Sequence, residues 1–337
     1  MTRGRLIAIV VTGIVCLGLA AGYFVWIRST SQAEIAGADG PATVDAAQIL
    51  AEPRVVFRNS TLGPDYGRLA GVALDDAGGP RAIFDISCER AYATAGAGVC
   101  VTAKRGVVQT YGVSMLGPQL QQVSSTELVG LPSRARMSKD GTLVATTTFV
   151  TGHSYAQASF STETLIRRAG KSLGNLETWD IEVDGRPLTA VDRNFWGVTF
   201  AEDDDTFYVT GASGGTTWLM RGSLKAKKLT ALRTDAECPS LSPDGTKVAY
   251  KKRLGNKTPG IWRIAVLDLA SGKETLTSDI RSVDDQVEWL DDNTLLYGMP
   301  RTGADATVSD VWQVPADGSG EASVYIEQGS SPAVVRQ

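Results

Sequence analysis

The chain has 337 residues, a mass of 35.7 kDa and a formal net charge of -4 at pH 7. Hydrophobic residues at 43% and charged residues at 21% sit near the globular average, which excludes wholesale disorder. The basic surplus of a nucleic-acid binder is absent, and a single histidine argues against His-based catalysis and His-rich metal sites.

Residues 6–27 run from Leu6 to Ile27 without a charge. As a helix they span roughly 33 Å, enough for a bilayer core. Tyr23 and Trp26 sit near one end, where amphipathic rings favour the interface. Arg3 and Arg5 precede the run and Arg28 alone follows closely, which places residues 1–5 in the cytoplasm and the rest outside. The run exceeds the apolar stretch of a cleaved signal, so the expectation is an uncleaved single-pass anchor in the cell membrane. Cys16 lies within it as apolar filler, since Val15 stands where a lipobox needs a small residue. Residues 28–53, rich in small and polar residues, read as a flexible linker.

Beyond the linker the sequence repeats. Cys238-Pro-Ser-Leu-Ser-Pro-Asp-Gly-Thr-Lys-Val-Ala-Tyr250 sets an extended stretch against a Ser-Pro-Asp-Gly turn and a second alternating stretch. Gly260–Leu269 predicts a third strand and Lys273–Thr277 a short fourth. Similar strand-turn units begin near residues 88, 133, 194 and 285. Their spacing matches the about 40–50 residues of a four-stranded propeller blade, apart from a longer interval after 133. Residues 54–85 supply second, third and fourth strands with no first. Ser331–Val335 resembles a first strand with no successor. The C-terminal strand 331–335 therefore completes the first blade and closes a six-bladed, all-β ring over 54–337.

The Pro-Ser-x-Ser-Pro-Asp-Gly stretch at 239–245 resembles the repeat of the TolB-like six-bladed β-propellers. The whole chain is similar to the membrane-anchored TolB-like translocation proteins of actinobacteria. The resemblance implies an envelope propeller that binds protein partners rather than performing chemistry.

Sequence signals for chemistry are weak. Gly211-Ala-Ser-Gly-Gly215 fits a nucleophile-elbow pattern, but strands flank it on both sides and the histidine precedes the serine. Gly170-Lys-Ser172 lacks the first glycine of a phosphate loop, since Leu165 stands there. Acidic pairs and triplets at 203–205, 284–285 and 291–292 fall where turns favour Asp, without calcium-loop spacing. Short basic runs at 225–228 and 251–253 read as solubilising strand and edge residues. No cofactor and no metal are expected.

Cys88 and Cys100 lie on adjacent strands of one blade outside the membrane, where a disulfide is permitted. Simple hairpin register does not set them opposite, so the bridge needs a bulge or wider loop. Residues just before each inner strand ring one channel mouth. By repeat alignment these are Arg134, Phe195, Trp196, Glu237, Asp284, Asp285 and Ser331. Arg and aromatic residues are frequent interface anchors, although Phe195 and Trp196 also suit packing between blades. His153 and Tyr155 lie in the longer third unit, whose insertion reads as a binding loop. The expectation is a non-catalytic binding or scaffold module for an envelope protein or peptide. The alternative is a hydrolase or lyase using Glu237, Asp284 and Asp285 at the channel mouth.

Overall fold

The computed structural model describes residues 4–5, 11–24, 40–104, 106, 109–150, 161–255 and 261–336. The chain divides into two compact units. One holds Met1–Gly40 with Leu62–Pro64, the other Pro41–Thr61 with Asp65–Gln337. In the first unit, residues 4–5 and 11–24 are helical. Among the described residues no helix is long and apolar enough to cross a membrane.

The second unit is an all-β six-bladed propeller. Its first blade runs Gly329–Val335, Arg54–Asn59, Arg68–Ala73 and Ala82–Ser87 from axis to rim. The C-terminal strand supplies the innermost position, antiparallel to Arg54–Asn59 with Val335 opposite Arg54. Arg81 locks this closure by donating to Asn59 Oδ1 at 2.8 Å and to the Glu327 carbonyl at 2.7 Å. The inner strands of the second to sixth blades are Arg90–Ala93, Leu131–Met137, Asn194–Phe200, Ala236–Leu241 and Glu288–Trp289.

Burial follows distance from the axis. Thr206–Ser213, second strand of the fourth blade, is buried along most of its length, whereas Gln122–Leu128, outermost in the second, is almost wholly exposed. Strands packed on both faces lose the polar-apolar alternation of a half-exposed sheet. Six apolar clusters fill the six junctions between neighbouring blades. One contains Leu143 and Ile166 of the third blade with Phe195 and Phe207 of the fourth.

Two expectations change. The linker expected over 28–53 does not extend to Arg54 as free chain. Thr43 bridges Arg81, a short helix covers Ala46–Leu50, and buried Ile49 joins the cluster between the first two blades. Burying such a side chain contributes roughly 1.5–3 kcal/mol, enough to hold a short segment down. The long interval after residue 133 is also only partly a loop. Asp180–Val183 and Arg186–Pro187 add two outer strands to the fourth blade, the first parallel to Lys228–Thr234.

Candidate binding site at the channel mouth

Inner strands enter the ring at one end, where second strands finish and third strands begin. Several inner strands carry a bulge near this mouth, as at Trp196/Thr199, Glu237/Ser240 and Pro132/Arg134. Bulges re-aim side chains. In the first two the residue in the kink is left-handed, Gly197 at φ +70° and Cys238 at φ +51°, and Ser331 at φ +54° does the same in the closing strand.

The charged side chains of this end interlock across blades. Lys251 is buried and donates to Asp284 Oδ1 at 2.5 Å, with Glu237 Oε2 at 4.0 Å. Its ammonium lies 4.8 Å from the Trp262 ring centre, and the Trp262 indole donates to Glu237 Oε1 at 3.0 Å. Burial alone would lower the Lys251 ammonium. The Cys238 sulfur and the Asp284 and Glu237 carboxylates outweigh that, so its pKa is raised. Burial pushes the Asp284 carboxyl up, but Lys251, with Arg134 and Arg90 beyond, holds it below the usual range. Arg134 lies 3.8 Å from Asp284 and donates to the Ser133 carbonyl at 2.9 Å. Asp285 accepts from the backbone N–H groups of Gln286 at 2.9 Å and Gly298 at 2.8 Å. The Ser331 hydroxyl donates to the Ala91 carbonyl at 3.3 Å.

Further down the axis, Arg136 pairs with Glu288 and donates to the Val287 carbonyl at 3.0 Å. The Tyr92 hydroxyl donates to the same carboxylate at 3.1 Å, and its ring lies under the Arg136 guanidinium. Burial raises the Glu288 carboxyl, and Arg136 only partly offsets this. Tyr92 and Arg136 share the lining of a small hollow of about 20 Å³ with Arg90, Arg134, Asp285 and Ser331.

The mouth therefore brings together Arg134, Glu237, Asp284 and Asp285. Phe195 and Trp196 are placed differently. Phe195 is 0% exposed in the junction of the third and fourth blades, its carbonyl accepting from the Thr162 hydroxyl at 2.9 Å. Trp196 is 9% exposed. Phe195 is a packing residue, and Trp196 is buried; neither is an exposed rim anchor. His153 and Tyr155 lie outside the described residues. A disulfide joins Cys88 and Cys100 with their Cα atoms 5.4 Å apart. Cys100 sits opposite Ala91, so Cys88 reaches it from just ahead of the inner strand.

Sequence reasoning missed Arg90, Arg136, Lys251, Trp262 and Glu288. Arg134 and Arg136 could have been found together, since residues two apart on a strand share a face. Lys251 looked like part of a solubilising run; it is instead a buried cation joining the fifth blade to Asp284.

The suspected chemical motifs are turns. Gly214 and Gly215 form the two-residue connection between Ser213 and Thr216, both at positive φ. The Ser213 hydroxyl donates to Asp192 at 2.6 Å, with no histidine interposed. Ala169 and Gly170 make the corresponding turn before Lys171. Among the described residues, no three His, Cys, Asp or Glu side chains are grouped to hold a metal ion.

Among solved structures, the chain is similar to TolB from Acinetobacter baumannii, with a TM-score of 0.58 and 16% identity over 84% of this chain and 67% of that one. The fold is that of a TolB-like six-bladed β-propeller. A nidogen/laminin complex matches with a TM-score of 0.52 and 10% identity over 83% of this chain and 97% of that one. A putative TolB from Agrobacterium tumefaciens matches at 0.47 and 11% identity, over 83% and 91%. No protein-family model and no curated protein matches the chain. At these identities the TolB likeness is one of fold.

Proposed function

We propose that the chain is a membrane-anchored, extracytoplasmic propeller that binds an envelope protein or peptide at its channel mouth without catalysing a reaction. The observation that carries this reading is a group of large exposed apolar side chains at the mouth. Val129, Leu131, Val191, Ile261 and Ile280 all belong to connections or strand ends on the mouth face. Val191 is 82% exposed and Ile280 77%. Scattered apolar residues need no explanation; a group on one face around a buried polar centre is what a protein partner covers. The fold shared with TolB and with the nidogen/laminin complex supports the same reading. The charge-free run at 6–27 behind Arg3 and Arg5 supports the anchor and its orientation.

The carboxylate-enzyme alternative is less well supported. Acid-base work needs two carboxyls with separated pKa values that both reach substrate. Glu288 is raised but buried beneath Arg136 and Tyr92, and both oxygens of Asp285 accept backbone N–H groups.

The test is site-specific photo-crosslinking of the full-length protein in its native membrane. Crosslinkers at Val191 and Ile280 should capture one common protein, and one at Val324 on the outermost strand of the sixth blade should not. Equal capture from Val324, or none from the mouth face, would overturn this assignment. Alkaline carbonate should leave the protein in the membrane fraction; release would overturn the anchor.

A further inference from the structure

The mouth's carboxylates are all occupied, whereas two of its arginines meet none. Glu237 serves Lys251 and Trp262, Asp284 serves Lys251 and Arg134, and Asp285 serves backbone N–H groups. Arg90 donates through Nε to the Ser133 carbonyl at 3.0 Å, and Arg58 through Nε to the Cys88 carbonyl at 2.9 Å. Among the described residues, neither guanidinium has an ion-pair partner. Arg58 is further fixed over the Tyr66 ring, 4.8 Å from its centre.

These two arginines occupy adjoining hollows. Arg58 lines a cleft of about 260 Å³ with Tyr66, Gly67, Cys88 and Glu89. Arg90 and Arg134 line the small cavity at the axis. Burial, then the Arg134 charge, lowers the Arg90 guanidinium, and Arg58 adds to this, while Asp285 and Asp284 oppose it. So Arg90 is a desolvated cation crowded by like charges and held in place by a carbonyl. Its terminal nitrogens are free to make the two parallel bonds that a carboxylate accepts.

We propose that Arg90, flanked by Arg58 and Arg134, receives a carboxylate of the docked partner, an Asp or Glu side chain or a terminal carboxyl on a peptide. This rests on the binding-face reading above. A peptide suits the site better than an acidic polymer. The cleft is smaller than the 300–1,000 Å³ of a whole-ligand pocket. Exposed Val and Ile side chains share the face, and the chain's net charge of -4 repels a polyanion at long range.

The experiment uses full-length protein in detergent and two dye-labelled, end-capped pentapeptides, Leu-Val-Glu-Val-Leu and Leu-Val-Gln-Val-Leu, read by fluorescence anisotropy. The Glu peptide should bind about tenfold tighter than the Gln peptide. Arg90→Gln should erase that preference and Arg58→Gln reduce it. Arg90→Lys, with an unchanged near-ultraviolet circular dichroism spectrum, should keep part of it. Ile280→Asp should weaken both peptides. Equal binding of the two peptides to the wild type, still weakened by Ile280→Asp, overturns the carboxylate site and leaves the binding face standing. No binding of either also overturns it, and photo-crosslinking then tells whether the face fails too.

Discussion

The two ends of the ring are held by different chemistry. At the end opposite the mouth, the inner strands of the third, fourth and fifth blades turn back through a local acidic turn. Asp140 accepts from the Thr142 N–H at 3.0 Å and its hydroxyl at 2.8 Å; Asp244 repeats both bonds with Thr246 at 3.0 and 2.8 Å. Asp203 does the same work with Thr206, at 2.7 Å to both N–H and hydroxyl. Each of these side-chain partners lies two or three residues away, and a link across blades, from the Asp244 N–H to Asp292 Oδ1 at 2.9 Å, is added to them. At the mouth and just below it along the axis, Arg136 meets Glu288 across 152 residues and Gln286 donates to the Val198 carbonyl across 88. Local bonds repeat because the unit repeats. Long-range bonds differ from blade to blade.

The strongest way to break this contrast is to cut the buried pair. Glu288→Ala leaves the Arg136 guanidinium uncompensated beside the axis, and removing one partner of such a pair costs about 3–5 kcal/mol. Urea unfolding should show that loss. Arg136→Met with Glu288→Leu should regain most of it, since a well-packed apolar replacement restores what a lone charge loses. Loss of only a few tenths would mean the pair is solvated.

The disulfide is the next largest effect. Cys88 and Cys100 close a loop with a sequence separation of 12, which corresponds to about 3 kcal/mol in the chain-entropy account. Cys88 also donates its N–H to the Gly67 carbonyl at 2.9 Å and accepts Arg58 at its own carbonyl. The Cys88→Ser, Cys100→Ser variant should therefore lose stability in denaturant, and peptide binding should lose part of its Glu preference. An unchanged preference would separate the bridge from the cleft.

The same contrast explains what was legible in the sequence. The blade count, the closing strand and the turns at 138–142 and 242–246 rest on short-range patterns, and the structure has them where the repeat placed them. The ring's mouth was legible as a location. Arg134, Glu237, Asp284 and Asp285 gather there because inner-strand entry points must converge. Which side chains do the work was not legible. Phe195 and Trp196 stand at the rim position in the repeat alignment, yet Phe195 is packed into the blade junction and Trp196 is buried. Lys251 belongs to a second strand, and only the fold brings it against Asp284.

The acidic turns offer a smaller test, by pH. Burial pushes the carboxyls of Asp140, Asp203 and Asp244 up, but hydrogen bonds from neighbouring hydroxyl and backbone groups outweigh it and leave all three lowered. A folded pKa below the unfolded value of about 4 means the folded state binds fewer protons there. The stability these turns contribute is thus present above about pH 4 and lost as pH falls through the lower folded values. Replacing the three aspartates by Asn should flatten that part of the acid-unfolding curve while leaving the curve above pH 5 nearly parallel. A wild-type curve as flat as the variant's would show that the carboxylates titrate alike in both states.

The smallest effect concerns the kink at the mouth. Gly197 and Cys238 share a left-handed backbone in neighbouring blades, and they approach closely: a Cβ on Gly197 would lie 2.7 Å from the Cys238 Cα. Glycine is required at the first position by space as well as by φ. At the second, φ +51° strains a side chain that packs beside Lys251 and Arg134. A left-handed conformation costs a non-glycine residue about 1–2 kcal/mol. Cys238→Gly relieves it but gives up the contacts of a buried sulfur, so the net change should be within about 1 kcal/mol of zero and should favour the variant. The kink itself, and with it the Cys238 N–H bond to the Thr210 hydroxyl at 2.7 Å, should persist. A clear destabilisation would mean that the thiol contributes more to the Lys251–Arg134 neighbourhood than its strain takes away, and that the mouth depends on sulfur as well as on carboxylates.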